Sequence, residues 1–217
     1  MRLMGCFPMK LTKFPLLKSA CAFLLAVLTL PVVTAFGALG SEPAKTHFEN
    51  PAPAAYSKEK PEFLYFKDIT ITRKEKQELR FDVTLNGKIP TNLANEVTFY
   101  FGFDIDSDPA TGGNAITCPG FGQDMGIWFV RKKGSPRFEE STPSVVFRAK
   151  TYTLKAGQIK IRGNKIEFDV RGELFDIFPK FRLFVRSKQV FYERGLETAS
   201  VDVDSIPRHG TLDVASQ

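Results

Sequence analysis

Apolar residues recur at every second position through most of this chain. Val97, Phe99, Phe101, Phe103 and Ile105 alternate with Thr98, Tyr100, Gly102 and Asp104, and Leu79, Phe81, Val83 and Leu85 alternate with Arg80, Asp82 and Thr84. A β-strand sends successive side chains to opposite faces, so this spacing describes strands with one face in a core. Comparable runs occupy residues 63–72, 126–131, 144–153, 158–162, 165–171 and 181–188. Gly163-Asn164 predicts a tight turn that makes residues 159–170 a hairpin. Only residues 173–178 read as helical, for barely a turn. With strands of this spacing and 21 Phe to fill an interior, the expected architecture is all-β: a single antiparallel β-sandwich of jelly-roll-like form.

The first forty residues follow a different pattern. Arg2, Lys10, Lys13 and Lys18 precede an uncharged run from Ser19 to Gly40. A basic start, an apolar stretch and the small residues of Val33-Thr34-Ala35 are the marks of a secretory signal. Residues 1–35 are therefore expected to be a signal peptide cleaved after Ala35, with the loop around Gly37-Ala38 as the alternative site. An apolar run of about 20 residues is also long enough to remain as an uncleaved membrane anchor; Pro31 and the small residues after it favour cleavage. Either outcome exports the remainder, so the expected location is secreted or periplasmic. Lys18 stands three residues before Cys21, where a lipidation signal needs an aliphatic residue, which argues against a lipid anchor. Cys6 and Cys21 leave with the signal, and Cys118 remains as the one thiol, so no intramolecular disulfide is available.

Removing the signal also changes the charge. Four of the 30 basic residues and none of the 24 acidic ones precede residue 36, which leaves 26 against 24, a balance of +2 in place of +6. Most of the basic excess is thus targeting sequence, and the argument for a nucleic-acid partner goes with it. Residues 36–61, rich in Pro, Ala and Lys, are expected to be a linker, and residues 62–217 the sandwich domain.

One loop carries the chemistry. Asp104, Asp106 and Asp108 stand at every second position where the strand 97–105 ends, followed by Thr111-Gly112-Gly113 and then by Asp124. Three carboxylates within five residues repel one another unless a cation sits among them. Ca²⁺ takes about six to eight oxygen ligands from carboxylates, carbonyls and water, and Asp104, Asp106, Asp108, Thr111 and Asp124 supply such oxygens. Mg²⁺ keeps more of its own water, and Zn²⁺ prefers His or Cys, which this loop lacks apart from Cys118. An EF-hand is excluded, because counting from Asp104 puts Pro109 at the required Gly and Ala115 at the bidentate Glu. The alternative is a solvated acidic tip in which the aspartates form turns.

The run FDIDSDPATGG followed by GQDMGIWF resembles secreted bacterial β-sandwich domains related to family 9 carbohydrate-binding modules and the DOMON-like group, and Asp202-Val-Asp204-Ser-Ile-Pro207-Arg-His-Gly210 is similar to their closing segment. The resemblance implies a jelly-roll-like sandwich, a structural calcium near Asp104, Asp106, Asp108 and Asp124, and binding without catalysis. The chain departs from that pattern at Cys118-Pro119 and has a single tryptophan.

Tyr100 and Trp128 are out of phase with the core positions Phe99, Phe101, Ile127 and Phe129, so both are expected on the outer face of adjacent strands. There they form either an aromatic platform for a ligand or a surface that another element covers. Phe184 stands in the same relation to Leu183 and Val185. Arg131-Lys132-Lys133 with Arg137, and Arg182, Arg186 and Lys188, are basic groups able to meet an acidic polysaccharide or lipid head group, or to remain solvated. A catalytic cysteine needs a histidine, and after the signal the chain offers only His47 and His209; no Gly-x-Ser-x-Gly elbow accompanies Ser205. The expectation is a calcium-stabilised, non-enzymatic binding module for a polysaccharide or another envelope component. The alternatives are an envelope assembly protein that binds a partner protein and, third, a hydrolase.

Overall fold

The computed structural model describes residues 43–51, 60–114, 120–141, 144–147, 150–194, 196–207 and 211–214. The expected signal, Cys118 and His209 lie outside these residues. In chain order the elements are β1 (Lys45–Glu49), a single 3₁₀ turn (Glu62–Leu64), β2 (Phe66–Glu75), β3 (Glu78–Leu85), β4 (Glu96–Asp104), β5 (Gly113–Asn114), β6 (Gly122–Gln123) and β7 (Met125–Arg131). There follow β8 (Glu139–Glu140), β9 (Ser144–Phe147), β10 (Lys150–Thr153), β11 (Lys155–Ala156), β12 (Lys160–Arg162), β13 (Lys165–Arg171), the single-turn helix α1 (Leu174–Ile177), β14 (Phe181–Glu193), β15 (Leu196–Ile206) and β16 (Leu212–Val214). Among the described residues no helix is long and apolar enough to cross a membrane.

Two antiparallel six-stranded sheets form the sandwich. The first runs β1-β2-β3-β13-β11, with β12 also paired to β13; the second runs β15-β14-β4-β7-β8, with β16 continuing the outer edge of β14. The inner faces meet through phenylalanines. Phe81 and Phe168 stand opposite each other on β3 and β13 and stack in parallel, with centroids 4.9 Å apart. From the other sheet Phe101 and Phe129 reach Phe168 at 4.8 and 4.6 Å, and Phe99 meets Phe66 edge-on at 6.1 Å. These tilted and edge-to-face contacts suit the quadrupoles of the rings. The alternation read from the sequence is therefore the core of the protein.

The outer faces differ. On β3 and β13 burial alternates strictly, and the outward positions carry ion pairs, Arg80 with Asp82 and Glu167 at 3.1 and 2.8 Å, and Lys74 with Asp169 at 2.8 Å. On β4, by contrast, nearly every residue is buried on both faces. The cause is its central place between β14 and β7, together with Phe121, which packs on its outer side against Tyr100 and Phe184.

Two expectations are corrected. Part of the expected linker is a strand: β1 pairs antiparallel with β2 from Lys45↔Thr72 to Glu49↔Asp68, and Phe48 packs against the core. The run 144–153 is not one strand but the hairpin β9–β10, with Ser144 opposite Thr153. Residues 196–206, which take in the first part of the segment 202–210, form the long edge strand β15. The hairpin at Gly163-Asn164 is present, with Arg162 directly opposite Lys165.

Candidate metal centre and the face beside it

Asp104 is the last residue of β4, on the face away from Phe103, and it is fully buried. The chain then turns through Ser107, which adopts the left-handed region at φ 57°. Thr111 N–H donates to the Asp108 carbonyl at 3.1 Å, and the strand pair β5–β6 closes the loop. A Cβ at Gly122 would collide with the carbonyl oxygens of Asp108 and Thr111, so a glycine is needed where the two ends of the loop meet. Asp124 follows directly. Its N–H donates to the Phe103 carbonyl at 2.9 Å, and its Oδ2 accepts from Ile105 N–H at 2.8 Å. The start and end of the loop are thus pinned side by side.

This geometry brings carboxylate oxygens of Asp104, Asp106 and Asp124 within 4.8 Å of one another. It does not bring in Asp108, whose Oδ1 accepts from Ala110 N–H at 2.9 Å in a local turn. Thr111 supports rather than joins the cluster, donating its hydroxyl to Asp106 Oδ1 at 3.0 Å. Of the five residues expected as ligands, three therefore converge and two shape the loop around them.

A residue the sequence placed elsewhere completes the site. Arg182 stands opposite Asp104 in the β4–β14 register, and its Nη2 forms an ion pair with Asp104 Oδ2. Its Nη1 donates to the Gly120 carbonyl at 3.3 Å, and the guanidinium lies 6.0 Å from the Phe121 ring. Burial raises the Asp104 carboxyl above its ordinary pKa, and Arg182 pulls it back. Burial also raises Asp124; the Ile105 N–H opposes this, while Asp106 and Asp104 add to it. Three carboxylates against one guanidinium leave two negative charges when all are ionised. Asp104 Oδ1 is buried without a well-formed hydrogen bond among the described residues; the Ser107 N–H approaches the carboxyl and lowers its pKa only as a minor effect. A buried acceptor without a donor is costly, and a hard cation satisfies it in the way these oxygens favour.

Beside this centre the outer face carries a second, small core of Tyr100, Phe121 and Phe184. Phe121, from the loop, meets Phe184 of β14 at 6.2 Å. Tyr100 is on the face expected but is not exposed. Its ring lies flat along the sheet over Gly102 and Gly126, which face each other across β4 and β7; a Cβ at Gly126 would stand 2.6 Å from the Tyr100 hydroxyl. Trp128 covers one side at 4.9 Å, and the Arg186 guanidinium covers the other, also at 4.9 Å. The phenol approaches Gln123 without a well-formed hydrogen bond, and burial pushes its pKa up to about 12. Trp128 itself is 38% exposed. The expected aromatic pair is therefore one accessible ring on a buried support, with Arg186 as its neighbour on the surface.

The basic residues divide. Arg131 is buried and donates to the carbonyls of Pro90, Thr91 and Ser135, so it braces a loop. Arg186 also pairs with Asp202 at 3.5 Å. The alternation of β14 placed Arg182 and Arg186 on one face, but their partners come from β4, the loop and β15, contacts that only the strand register defines. Compared with protein-family models, curated proteins and solved structures, the chain matches none of them.

Proposed function

We propose that this chain is an exported, non-catalytic binding module whose β-sandwich is stabilised by a divalent cation, calcium by the chemistry of its ligands. The observation that carries the reading is the convergence of Asp104, Asp106 and Asp124 from the strand end, the start and the end of one loop. An ion there neutralises the two residual charges and ties the loop across the outer face. The donor set is all oxygen, which suits Ca²⁺ better than a transition metal. Metal-stripped protein titrated with Ca²⁺ is expected to melt at higher temperature; free ion at 100 times Kd stabilises by about 2.7 kcal/mol. Asp106→Ala should abolish the rise, and an unchanged wild-type melting temperature overturns the calcium reading.

The surface such an ion stabilises presents Trp128 to solvent, and a stackable polysaccharide or other envelope glycan is the ligand this ring suits. The resemblance to carbohydrate-binding sandwich domains supports the same choice. Glycan-array binding that disappears in Trp128→Ala is the expected outcome; a clean array removes the glycan.

A second reading has its own observation. β15 is an edge strand, and Leu196 and Tyr192 at the tip of its hairpin are 73% and 47% exposed. An open strand edge is a template for pairing with another chain, which favours an envelope assembly protein. Co-purification of envelope proteins, lost when Leu196 and Tyr192 are changed to Ser, is the result that would prefer it.

A further inference from the structure

We infer that Arg182 determines which cations the acidic centre accepts. The inference rests on the reading of Asp104, Asp106 and Asp124 as cation ligands and adds the element that sets their charge. A guanidinium is a cation with a planar fork of donors, and Arg182 brings that positive charge to the site. It is also held in place. Asp104 Oδ2 takes one end of the fork, the Gly120 carbonyl takes the other at 3.3 Å, and the Phe121 ring lies beside it. Asp104 is fully buried, and an isolated carboxylate there would be strongly destabilising. The pairing leaves Asp104 Oδ1 and Arg182 Nε without well-formed hydrogen bonds among the described residues, so the ion pair does not satisfy the centre by itself.

The consequence is a count of charge. Three carboxylates with Arg182 present two negative charges, which a divalent ion neutralises and a trivalent ion exceeds. Without Arg182 the same oxygens present three. Ligand charge count is a main determinant of affinity in oxygen sites for hard cations. Arg182 thus acts through Asp104 as a positioning residue that matches the centre to a charge of two.

The test compares Ca²⁺ and Tb³⁺ binding to the full chain by calorimetry in four forms: wild type, Arg182→Gln, Asp104→Asn and the double variant. In Arg182→Gln the ratio of Tb³⁺ to Ca²⁺ affinity is expected to rise by about tenfold or more, since charge count governs such sites. The double variant keeps Asp106 and Asp124 alone, again two charges, and should return to the wild-type ratio. Asp104→Asn, with one net charge, should fall below it. A merely structural Arg182 would lower the melting temperature and leave the ratio where it was. An unchanged ratio in Arg182→Gln overturns the inference while the cation centre stands; wild type that binds neither ion removes the centre and the inference together. Should Arg182→Gln fail to fold, Asp104→Asn decides, and a ratio equal to that of wild type overturns the inference.

Discussion

Tyr100 keeps its proton longer than an exposed phenol because ionising it would strand a charge between Trp128, Arg186 and the sheet. Burial dominates; the nearby Arg186 charge only partly offsets it. The sign follows from the direction of the shift. The folded pKa of about 12 lies above the unfolded value of 10.0, so this contribution to stability is whole below pH 10.0 and is lost as the pH rises toward 12. An ultraviolet titration of tyrosinate should show a phenol ionising near pH 12 that disappears in Tyr100→Phe. The same variant should lose less stability than wild type between those limits.

Among the elements, β1 shows how a short strand gains a role that its composition conceals. Asn50, just after it, is buried and donates through Nδ2 to the Phe66 carbonyl at 3.3 Å, and to Asp204 Oδ2 and the Ser205 carbonyl at 3.2 Å. Asp204 Oδ2 also accepts Phe66 N–H at 2.9 Å. One side chain therefore fastens β2 of the first sheet to β15 of the second. Asn50→Ala leaves those acceptors short of a donor and should cost about 1–3 kcal/mol in denaturant unfolding.

The outward face of β3 and β13 makes a different claim. Arg171 holds the Glu78 carboxyl below its ordinary pKa, with burial opposing and Lys74 adding a smaller effect. A depressed carboxyl contributes stability above the unfolded pKa, 4.5, and loses it as the pH falls through the folded value. Glu78→Gln should therefore be less stable at pH 7 and converge with wild type in acid.

Elements with a clean period were legible in the sequence. β3, β4 and β13 fill the sandwich with alternate positions, and the solvent side of two of them is polar. β15 was not legible, because LETASVDVDSI lies at an edge with most of its side chains in solvent, and only Val203 and Ile206 near its end reach the core, too few to show a period. β1 offers Phe48 alone to the core, too little for a period. The run 144–153 has strand composition throughout, and nothing in that composition marks where a hairpin reverses.

At the scale of the molecule, the two sheets are held together by aromatic volume. Phe168 touches Phe81, Phe101 and Phe129, so it joins three strands of both sheets. Phe168→Ala is expected to cost about 3–5 kcal/mol in reversible unfolding; a loss under about 1 kcal/mol would mean that the neighbouring rings collapse into the space. This much of the whole was implicit in the spacing of phenylalanines. The candidate centre was legible only in part. Aspartates at alternate positions announced a cluster, but Ser107 turns Asp108 out of it and the strand register brings Arg182 in, and both depend on how distant segments meet.

Trp128 stands at the margin of this arrangement as the chain's only tryptophan, in contact with Tyr100. All indole emission therefore originates from one address on the molecule, the outer face beside the loop that joins β4 to β7. Light absorbed by Tyr100 has its nearest acceptor there as well. Without any added label, the colour and intensity of that emission follow events at this face and are silent about the rest of the chain.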